Sequence, residues 1–191
     1  MAEKNEKSIQ QRLVEAGIAE INRSGVQNFS VRRVALSCGV SCAAPYKHFK
    51  DKKAFFAAII KYIQELWRVR QEAVIKANAP DLRKQLVAIS LDYINFLVEN
   101  PHFRSIIMLK DPSFDAEYMK NKGGLSARSK ELIQEYCKQV HMPEETAKIK
   151  MYTVRAMIYG SALMFDNNEL PYTPEVMKWV EHVIDREFDL T

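Results

Sequence analysis

Glycine, proline and cysteine are all scarce in this 191-residue chain, and long apolar runs are missing. Six glycines and seven prolines are too few for a protein built mainly of loops and turns. Three cysteines, Cys38, Cys42 and Cys137, are an odd number, which argues against a disulfide framework and predicts a reducing, cytoplasmic location. No apolar run approaches the roughly 18 residues of a membrane span. Residues 1–10 are polar and charged, so they show no secretion signal.

The net charge of +4 is distributed unevenly along the chain. Residues 1–53 contain ten basic and five acidic side chains, a net charge of +5. Residues 54–191 contain 18 basic and 19 acidic side chains, a net charge of −1. This asymmetry predicts a short module that meets a polyanion and a larger, nearly neutral module with another task.

Helical spacing of apolar residues runs through almost the whole chain, and no segment alternates as a strand would. We therefore predict an all-α protein of about nine helices. A three-helix domain with a helix-turn-helix would occupy residues 1–53, and a helical dimerisation and effector-binding domain would occupy residues 54–191. Helix breaks are predicted at residues 24–25, 78–81, 100–101, 111–113, 123–124, 141–143 and 171–174.

The basic segment has the proportions of a helix-turn-helix. Ser30 is a good N-cap for a short helix that ends at Gly39, and Phe29 and Val34 have the spacing of a hydrophobic staple. Ser41 then begins a second helix over residues 42–49. In such a unit the second helix enters the major groove with its first residues at the base edges, while the first helix crosses the phosphate backbone.

These residues resemble the DNA-binding domain of TetR-type (tetracycline-repressor-like) regulators over roughly residues 9–60. The matching anchors are Phe29-Ser30, Val34-Ala35, Gly39-Val40-Ser41, Tyr46-Lys47-His48-Phe49 and Lys52. Two positions depart from the family pattern. Gly17 replaces the usual alanine, a modest weakening of the first helix, and Pro45 replaces a branched aliphatic residue. The resemblance implies a homodimer that represses transcription from a near-palindromic operator, with a C-terminal domain that dimerises and holds a small-molecule inducer.

Small and basic side chains of this segment are expected to share the DNA contact. The basic residues would lie at phosphates, and the small residues at the front of the second helix would lie at bases. The predicted DNA-binding residues are Ser30, Arg32, Arg33, Ser41, Cys42, Ala43, Ala44, Tyr46, Lys47, His48 and Lys52.

Other functions have little support in the sequence. The basic side chains could be ordinary solvated surface charge, but the helix-turn-helix around them favours phosphate contact. Cys38, Cys42 and His48 lack the further ligands of a zinc site, and Cys38 is expected to be a small, inward-facing residue. We find no phosphate-binding glycine loop, nucleophile motif or metal-spaced His/Glu pair, so we predict no catalysis, no cofactor and no metal. The alternative function is a constitutive or architectural DNA-binding protein without an inducer.

The segment from about residue 144 to 165 carries two apolar stripes, although a surface helix needs one. One stripe is Ile149, Tyr152, Ala156, Gly160 and Leu163, and the other is Met151, Val154, Ile158, Ala162 and Phe165. The stripe with small residues is assigned to a dimer partner, in a four-helix bundle with the last helix. The predicted interface is Tyr152, Ala156, Gly160, Leu163, Val176, Trp179, Val180 and Val183. The alternative is that both helices are simply core.

The remaining apolar residues of the larger domain are candidates to line an effector pocket. For each residue alone, packing in the core is the more common role of such a side chain. The predicted pocket residues are Trp67, Phe96, Phe103, Ile107, Met108, Tyr118, Met119, Met151, Arg155, Met157 and Phe165. The effector would be small and mostly apolar, with Arg104 or Arg155 as a polar anchor.

Overall fold

A computed structural model describes residues 8–108 and 116–189 and places them in nine α-helices and one short 3-10 segment. The helices are α1 Ile9–Ser24, α2 Val31–Ser37, α3 Lys52–Ala77, α4 Leu82–Glu99, α5 Pro101–Ile107, α6 Ala116–Gly124, α7 Ala127–Gln139, α8 Glu144–Asp166 and α9 Pro174–Arg186, with the 3-10 segment at Pro45–Lys47. The described residues contain no strand, and the all-α prediction is confirmed. None of these helices is long and apolar enough to cross a membrane. The start of the chain, residues 1–7, and the break predicted at residues 111–113 lie outside the described residues.

Several helices begin where a side-chain oxygen accepts from an exposed backbone N–H of the first turn. At α2, the Ser30 side chain accepts from the N–H of Arg33 at 3.4 Å, as the sequence predicts. Ser8, Asp81 and Thr173 act in the same way at α1, α4 and α9. These caps fix the helix starts through local sequence alone.

The chain packs as two compact units. The first unit consists of Met1–Glu65 with His102–Gly123, and the second of Leu66–Pro101 with Gly124–Thr191. The first unit is larger than the predicted module of residues 1–53. The reason is that the first half of α3 buries a continuous apolar face there, which consists of Phe55, Phe56, Ile59, Ile60 and Ile63.

In the first unit α1 packs on α2, and aromatic rings from three segments meet beneath them. The ring of Phe55 lies 4.3 Å from that of Phe49 and 5.4 Å from that of Phe29, between centroids. A side chain at Gly17 would meet this cluster, because a Cβ there would lie 2.5 Å from Cε1 of Phe55. The glycine thus permits the close approach of α1 to α3.

The second unit is built around α4, which packs against α7, α8 and α9. Its core includes Leu86, Ile89 and Ile94 of α4 together with Phe165 of α8 and Ile184 of α9. Arg83 of α4 also pairs with Asp185 and Asp189, its Nε lying 2.8 Å from Oδ1 of Asp185. This pairing holds the end of α9 to the start of α4.

Candidate functional site

The turn of the predicted helix-turn-helix depends on Gly39. Its φ of +68° lies in the left-handed region, which glycine adopts without steric cost. In this conformation the N–H of Val40 donates to the carbonyl of Ala35 at 3.1 Å, which closes the end of α2. The turn therefore directs the chain into the segment that was predicted to enter the groove.

The second helix predicted over residues 42–49 is much shorter than expected. Only Pro45–Lys47 is helical, and it is a 3-10 segment preceded by turns. The N–H groups of Ala44, Tyr46 and Lys47 each donate to the carbonyl three residues earlier. Pro45 has no N–H to donate to Ser41 four residues before it, so the segment winds in tighter i→i+3 turns. The α-helical prediction for this segment was wrong for that reason.

The surface of this segment retains the predicted division of side chains. Ser41, Cys42 and Ala43 are exposed and Ala44 is half-buried, so small side chains form its front. Tyr46, Lys47 and His48 are exposed behind them, with 58% of Tyr46 accessible. Pro45 and Phe49 are buried and anchor the segment.

The basic side chains differ in what already surrounds their charge. Arg32 and Lys47 are exposed, and no carboxylate among the described residues pairs with them. The Lys52 ammonium lies over two aromatic rings, 5.6 Å from the centroid of Phe29 and 5.8 Å from that of Phe56. Its stem covers apolar surface while the residue stays exposed.

Arg33 has partners within the protein. Its Nε donates to Oε1 of Glu20 at 2.6 Å, and its Nη2 donates to the carbonyl of Asn28. Glu20 lies on α1 and is only 3% exposed. It also pairs with Arg23 and accepts from the Ser24 hydroxyl at 2.9 Å.

Sequence reasoning missed Glu20 as a member of this site. Burial raises the pKa of its carboxyl, but hydrogen bonds from Arg33, Arg23 and Ser24 outweigh burial and bring the pKa to about 2. The carboxylate is therefore charged in a place where an unpaired charge would be costly. A glutamate at an apolar position of α1 is the signal that could have pointed to it.

Cys38 and Cys42 lie in the segment predicted to bind DNA, and Cys137 lies on α7. Cys38, Cys42 and Cys137 are free thiols, and no cluster of potential metal ligands occurs among the described residues. Cys38 is half-buried at the end of α2, where its carbonyl accepts from Nη2 of Arg12 at 2.8 Å. This contact joins the end of α2 to α1.

Helix α8 presents its two apolar stripes very differently. The stripe of Ile149, Tyr152, Ala156, Gly160 and Leu163 is exposed, with 75% of Tyr152 accessible. A Cβ at Gly160 would meet nothing within 4 Å. The opposite stripe contributes Val154, Ala162 and Phe165 to the buried residues of the unit.

Helix α9 adds to the exposed apolar surface of the second unit. Trp179 is 56% exposed and Val183 is 46% exposed, although both are large hydrophobic residues. Val180 is half-buried. Val176, predicted with them, is 3% exposed and belongs to the core, because it lies on the side of α9 that faces its own unit.

The predicted effector-pocket residues are divided between the two units. Phe103, Ile107, Met108, Tyr118 and Met119 belong to the first unit, where Met108 and Met119 are exposed. The others belong to the second unit, and these are Trp67, Phe96, Met151, Arg155, Met157 and Phe165. Phe165 is a core residue there, and Met157 packs against the same core.

Two of the predicted residues of the second unit, Trp67 and Phe96, belong to an aromatic cluster, and a third, Arg155, lies at its edge. Trp67 lies 5.4 Å from Phe96 and 4.6 Å from Tyr93, between centroids. Tyr93 in turn lies 6.4 Å from Tyr159, and the guanidinium of Arg155 lies 5.9 Å from the Tyr159 ring centroid. Burial, together with the neighbouring Tyr159, raises the pKa of Tyr93 well above its usual value. The two tyrosines were not predicted, because single tyrosines in a helical sequence carry no distinguishing pattern.

The second unit also has a groove and a small cavity, which are lined mostly by residues that were not predicted to line a pocket. A groove of about 410 Å³ is lined by Leu91, Asn95, Tyr172, Thr173, Pro174, Met177, Lys178 and Glu181, none of which was predicted. Met151 borders a cavity of about 10 Å³ beside Tyr136 and Phe188, which is room for about one water molecule.

Comparison with known proteins agrees with the resemblance to TetR-type regulators that the sequence motifs show. Residues 13–59 match the profile of the family described as bacterial regulatory proteins, tetR family. The chain is 25% identical to the nucleoid occlusion factor SlmA of Klebsiella pneumoniae, over 78% of each chain.

Solved structures share the fold over nearly the whole chain. A protein of unknown function from Rhodococcus sp. RHA1 has a TM-score of 0.78 and 18% identity, covering 97% of this chain and 98% of its own. The transcriptional regulator FadR of Bacillus subtilis, in complex with stearoyl-CoA, has a TM-score of 0.77 and 14% identity, covering 92% and 97%. A TetR variant from Acinetobacter baumannii, in complex with minocycline, has a TM-score of 0.62 and 17% identity, covering 95% of each chain. Residues 13–59 thus match the TetR-family model, and the chain shares its fold with solved TetR-family regulators.

Proposed function

We propose that this protein is a sequence-specific transcription regulator that binds a palindromic operator as a homodimer in the cytoplasm and represses transcription. The observation that carries the proposal is the exposed segment after Gly39. Its small side chains stand in front of Tyr46 and Lys47, and Arg32 on the preceding helix has no carboxylate partner among the described residues. Small residues let a backbone approach base edges, while free cations neutralise phosphates.

The exposed apolar face of α8 and α9 supports the dimer. A monomer seldom leaves several large apolar side chains such as Tyr152, Leu163 and Trp179 in water on one face. Ala156 and Gly160 between them allow a second helix to come close. A dimer formed there would bring two DNA-binding segments, one from each copy, to the two half-sites of an operator. The spacing of half-sites on DNA is about 34–36 Å or a multiple of it.

The effector of this regulator is proposed to be small and mostly apolar. The aromatic cluster around Trp67 and Tyr93 offers apolar surface, and Arg155 offers a charge beside it. Two proteins of the same fold have stearoyl-CoA or minocycline bound. An effector that binds one conformation of the dimer better than another shifts the population and weakens operator binding by that difference in affinity.

The second candidate function is DNA binding without an inducer. It is favoured by the name of the curated relative, a nucleoid occlusion factor. Both candidates share the DNA-binding surface and the dimer, and they differ in whether a small molecule changes operator affinity.

DNA selection tests what the two candidates share. The purified chain is incubated with a random-sequence duplex library, and selected duplexes are measured at several salt concentrations. We expect enrichment of a sequence with two-fold symmetry and an affinity that falls steeply with salt. No enrichment and no salt-sensitive binding would contradict both candidates.

Thermal melting then separates the two candidates. A ligand that binds only the folded protein raises its melting temperature in proportion to the logarithm of its concentration. Stearoyl-CoA and minocycline are the first probes, followed by a wider metabolite panel with the selected duplex present. A stabilising compound that also releases the duplex supports the inducible repressor, and a panel without one supports the inducer-free regulator.

A further inference from the structure

Two consecutive arginines in the first turn of α2 have different surroundings. Successive residues of an α-helix point about 100° apart, so Arg32 and Arg33 face different directions. Arg33 turns toward α1, where Nε donates to Oε1 of Glu20 at 2.6 Å. Arg32 is exposed and has no carboxylate partner among the described residues.

We propose that Glu20 and Arg33 form a positioning pair that holds α2 against α1, and that Arg32 alone makes the phosphate contact of the first turn of α2. This inference rests on the proposed function, because it assigns different roles to two residues of the proposed DNA-binding surface. It also revises the expectation that Arg33 is a phosphate ligand.

The hydrogen bonds of Arg33 support the positioning role. Besides Glu20, its guanidinium binds the carbonyl of Asn28 in the loop just before α2. One side chain thus joins α1, the loop and α2. A planar guanidinium with several fixed donors is well suited to join groups in this way.

The burial of Glu20 explains why Arg33 stays in place. The Glu20 side chain is 2% exposed, whereas the Arg33 side chain is 47% exposed. If Arg33 swung out to a phosphate, the buried carboxylate would keep only Arg23 and Ser24 as partners. Removing one partner from a buried ion pair is strongly unfavourable, because the remaining charge cannot return to water.

The two arginines should therefore differ in the salt dependence of DNA binding. A side chain that neutralises a phosphate releases a counterion and contributes about 0.9 to the slope of log affinity against log salt. Arg33 is held at Glu20 and, on this inference, contacts no phosphate, so it adds little to that slope. Arg32 adds the full amount.

The experiment compares Arg32→Met, Arg33→Met and the double variant Glu20→Met/Arg33→Met, using the duplex selected by the wild-type chain. Arg32→Met should reduce the slope by about 0.9 and leave the melting temperature nearly unchanged. Arg33→Met should lower the melting temperature with the slope unchanged. The double variant should recover melting temperature and keep the wild-type slope, because two apolar side chains can replace a buried ion pair.

Each outcome decides the inference. A slope that falls as much in Arg33→Met as in Arg32→Met would place Arg33 at a phosphate and overturn it. So would a double variant that melts no higher than Arg33→Met, because the two side chains would then not act as a pair. If the wild-type chain binds no duplex, the proposed function and the role of Arg32 fail together. The melting temperatures would still decide whether Glu20 and Arg33 are a pair.

Discussion

Gly17 lies opposite the ring of Phe55, and this contact determines what a larger side chain would do there. A Cβ at this position would lie 2.5 Å from Cε1 of Phe55 and 3.2 Å from Cδ1 of Ile59. Phe55 is fully buried and is held by Phe29 and Phe49, so its ring has no room to withdraw. The sequence alone suggested only that a glycine weakens the first helix, whereas the structure shows that it makes room for the aromatic core.

Gly17→Ala should therefore destabilise the protein, although alanine is the better helix former. The gain in helix propensity is about 1 kcal/mol, and overpacking a rigid core costs about 1–3 kcal/mol. We expect a net loss of about 1 kcal/mol in the free energy of unfolding, measured by urea denaturation. Gly123→Ala is the matched control, because a Cβ there meets nothing within 4 Å, and it should be neutral or slightly stabilising. A stabilised Gly17→Ala variant would mean that Phe55 can move.

Glu20 should make the free energy of unfolding of the protein vary with pH in the acidic range. Its pKa is about 2 in the folded chain, below the ordinary value of 4.5. A lowered pKa adds stability that is present above the unfolded-state pKa and is lost as the pH falls from about 4.5 toward 2. The charged groups that face this carboxylate are Arg23 and Arg33.

Glu20→Gln isolates this contribution. The wild-type chain should be more stable than the variant near neutral pH, and the difference should shrink steadily between about pH 5 and pH 3. Thermal melts of both proteins across that range measure it. A difference that is constant with pH would show that the loss in the variant comes from packing and not from the charge.

At the scale of elements, local sequence explains the helix starts and the turn at Gly39, but it failed for the segment at residues 42–49. The hydroxyl of Ser30 and the left-handed conformation of Gly39 act over a few residues, so they can be found in the sequence. A proline near the start of an α-helix removes little hydrogen bonding, so Pro45 by itself does not forbid an α-helix over residues 42–49. In the structure the segment lacks an N–H at Pro45 and winds in i→i+3 turns as far as His48, and the N–H of Phe49 donates four residues back to the carbonyl of Pro45.

The exposed side chains of residues 42–49 are still expected to control which DNA sequence the protein prefers. Ala43→Arg places a long donor on the exposed front of this segment, so it should change the bases that the protein selects. Lys47→Ala is the control, because a lost phosphate contact should weaken all duplexes similarly and reduce the salt slope by about 1. Selection from a random-sequence library, repeated with each variant, measures both effects. An unchanged preference in Ala43→Arg would remove this segment from the groove.

At the scale of the whole molecule, the exposed stripe of α8 makes the dimer testable without disturbing the fold. Gly160 is exposed and a Cβ there would meet nothing within 4 Å, so Gly160→Trp fits the single chain. In a dimer the same indole would overlap the partner helix. We expect sedimentation to show a monomer, with a circular dichroism spectrum like that of the wild type. Operator affinity should fall by a large factor, because the single DNA-binding segment of a monomer cannot contact two half-sites.

Lys120→Trp is the matched control for that experiment, since it adds the same side chain at an exposed position of α6 in the first unit. It should remain a dimer. A dimeric Gly160→Trp protein would show that the apolar stripe of α8 has another role.

The helical class, most helix starts, the place of the turn and the concentration of positive charge in the first 53 residues can all be found from the amino-acid sequence. Each of these follows from short-range chemistry: apolar spacing, capping side chains, glycine geometry and a count of charges. The exposed and buried stripes of α8 also follow from helical spacing, once the small residues are assigned to the open side.

Contacts between residues far apart in the sequence are seen first in the folded structure. It placed the first half of α3 in the first unit, buried Val176, and paired Arg83 with Asp185, which is 102 residues away. It also turned Arg33 toward a buried Glu20 and set Gly17 against Phe55. Helical periodicity tells which face of a helix is apolar, but it carries no information about which other helix will cover that face or neutralise a charge beside it.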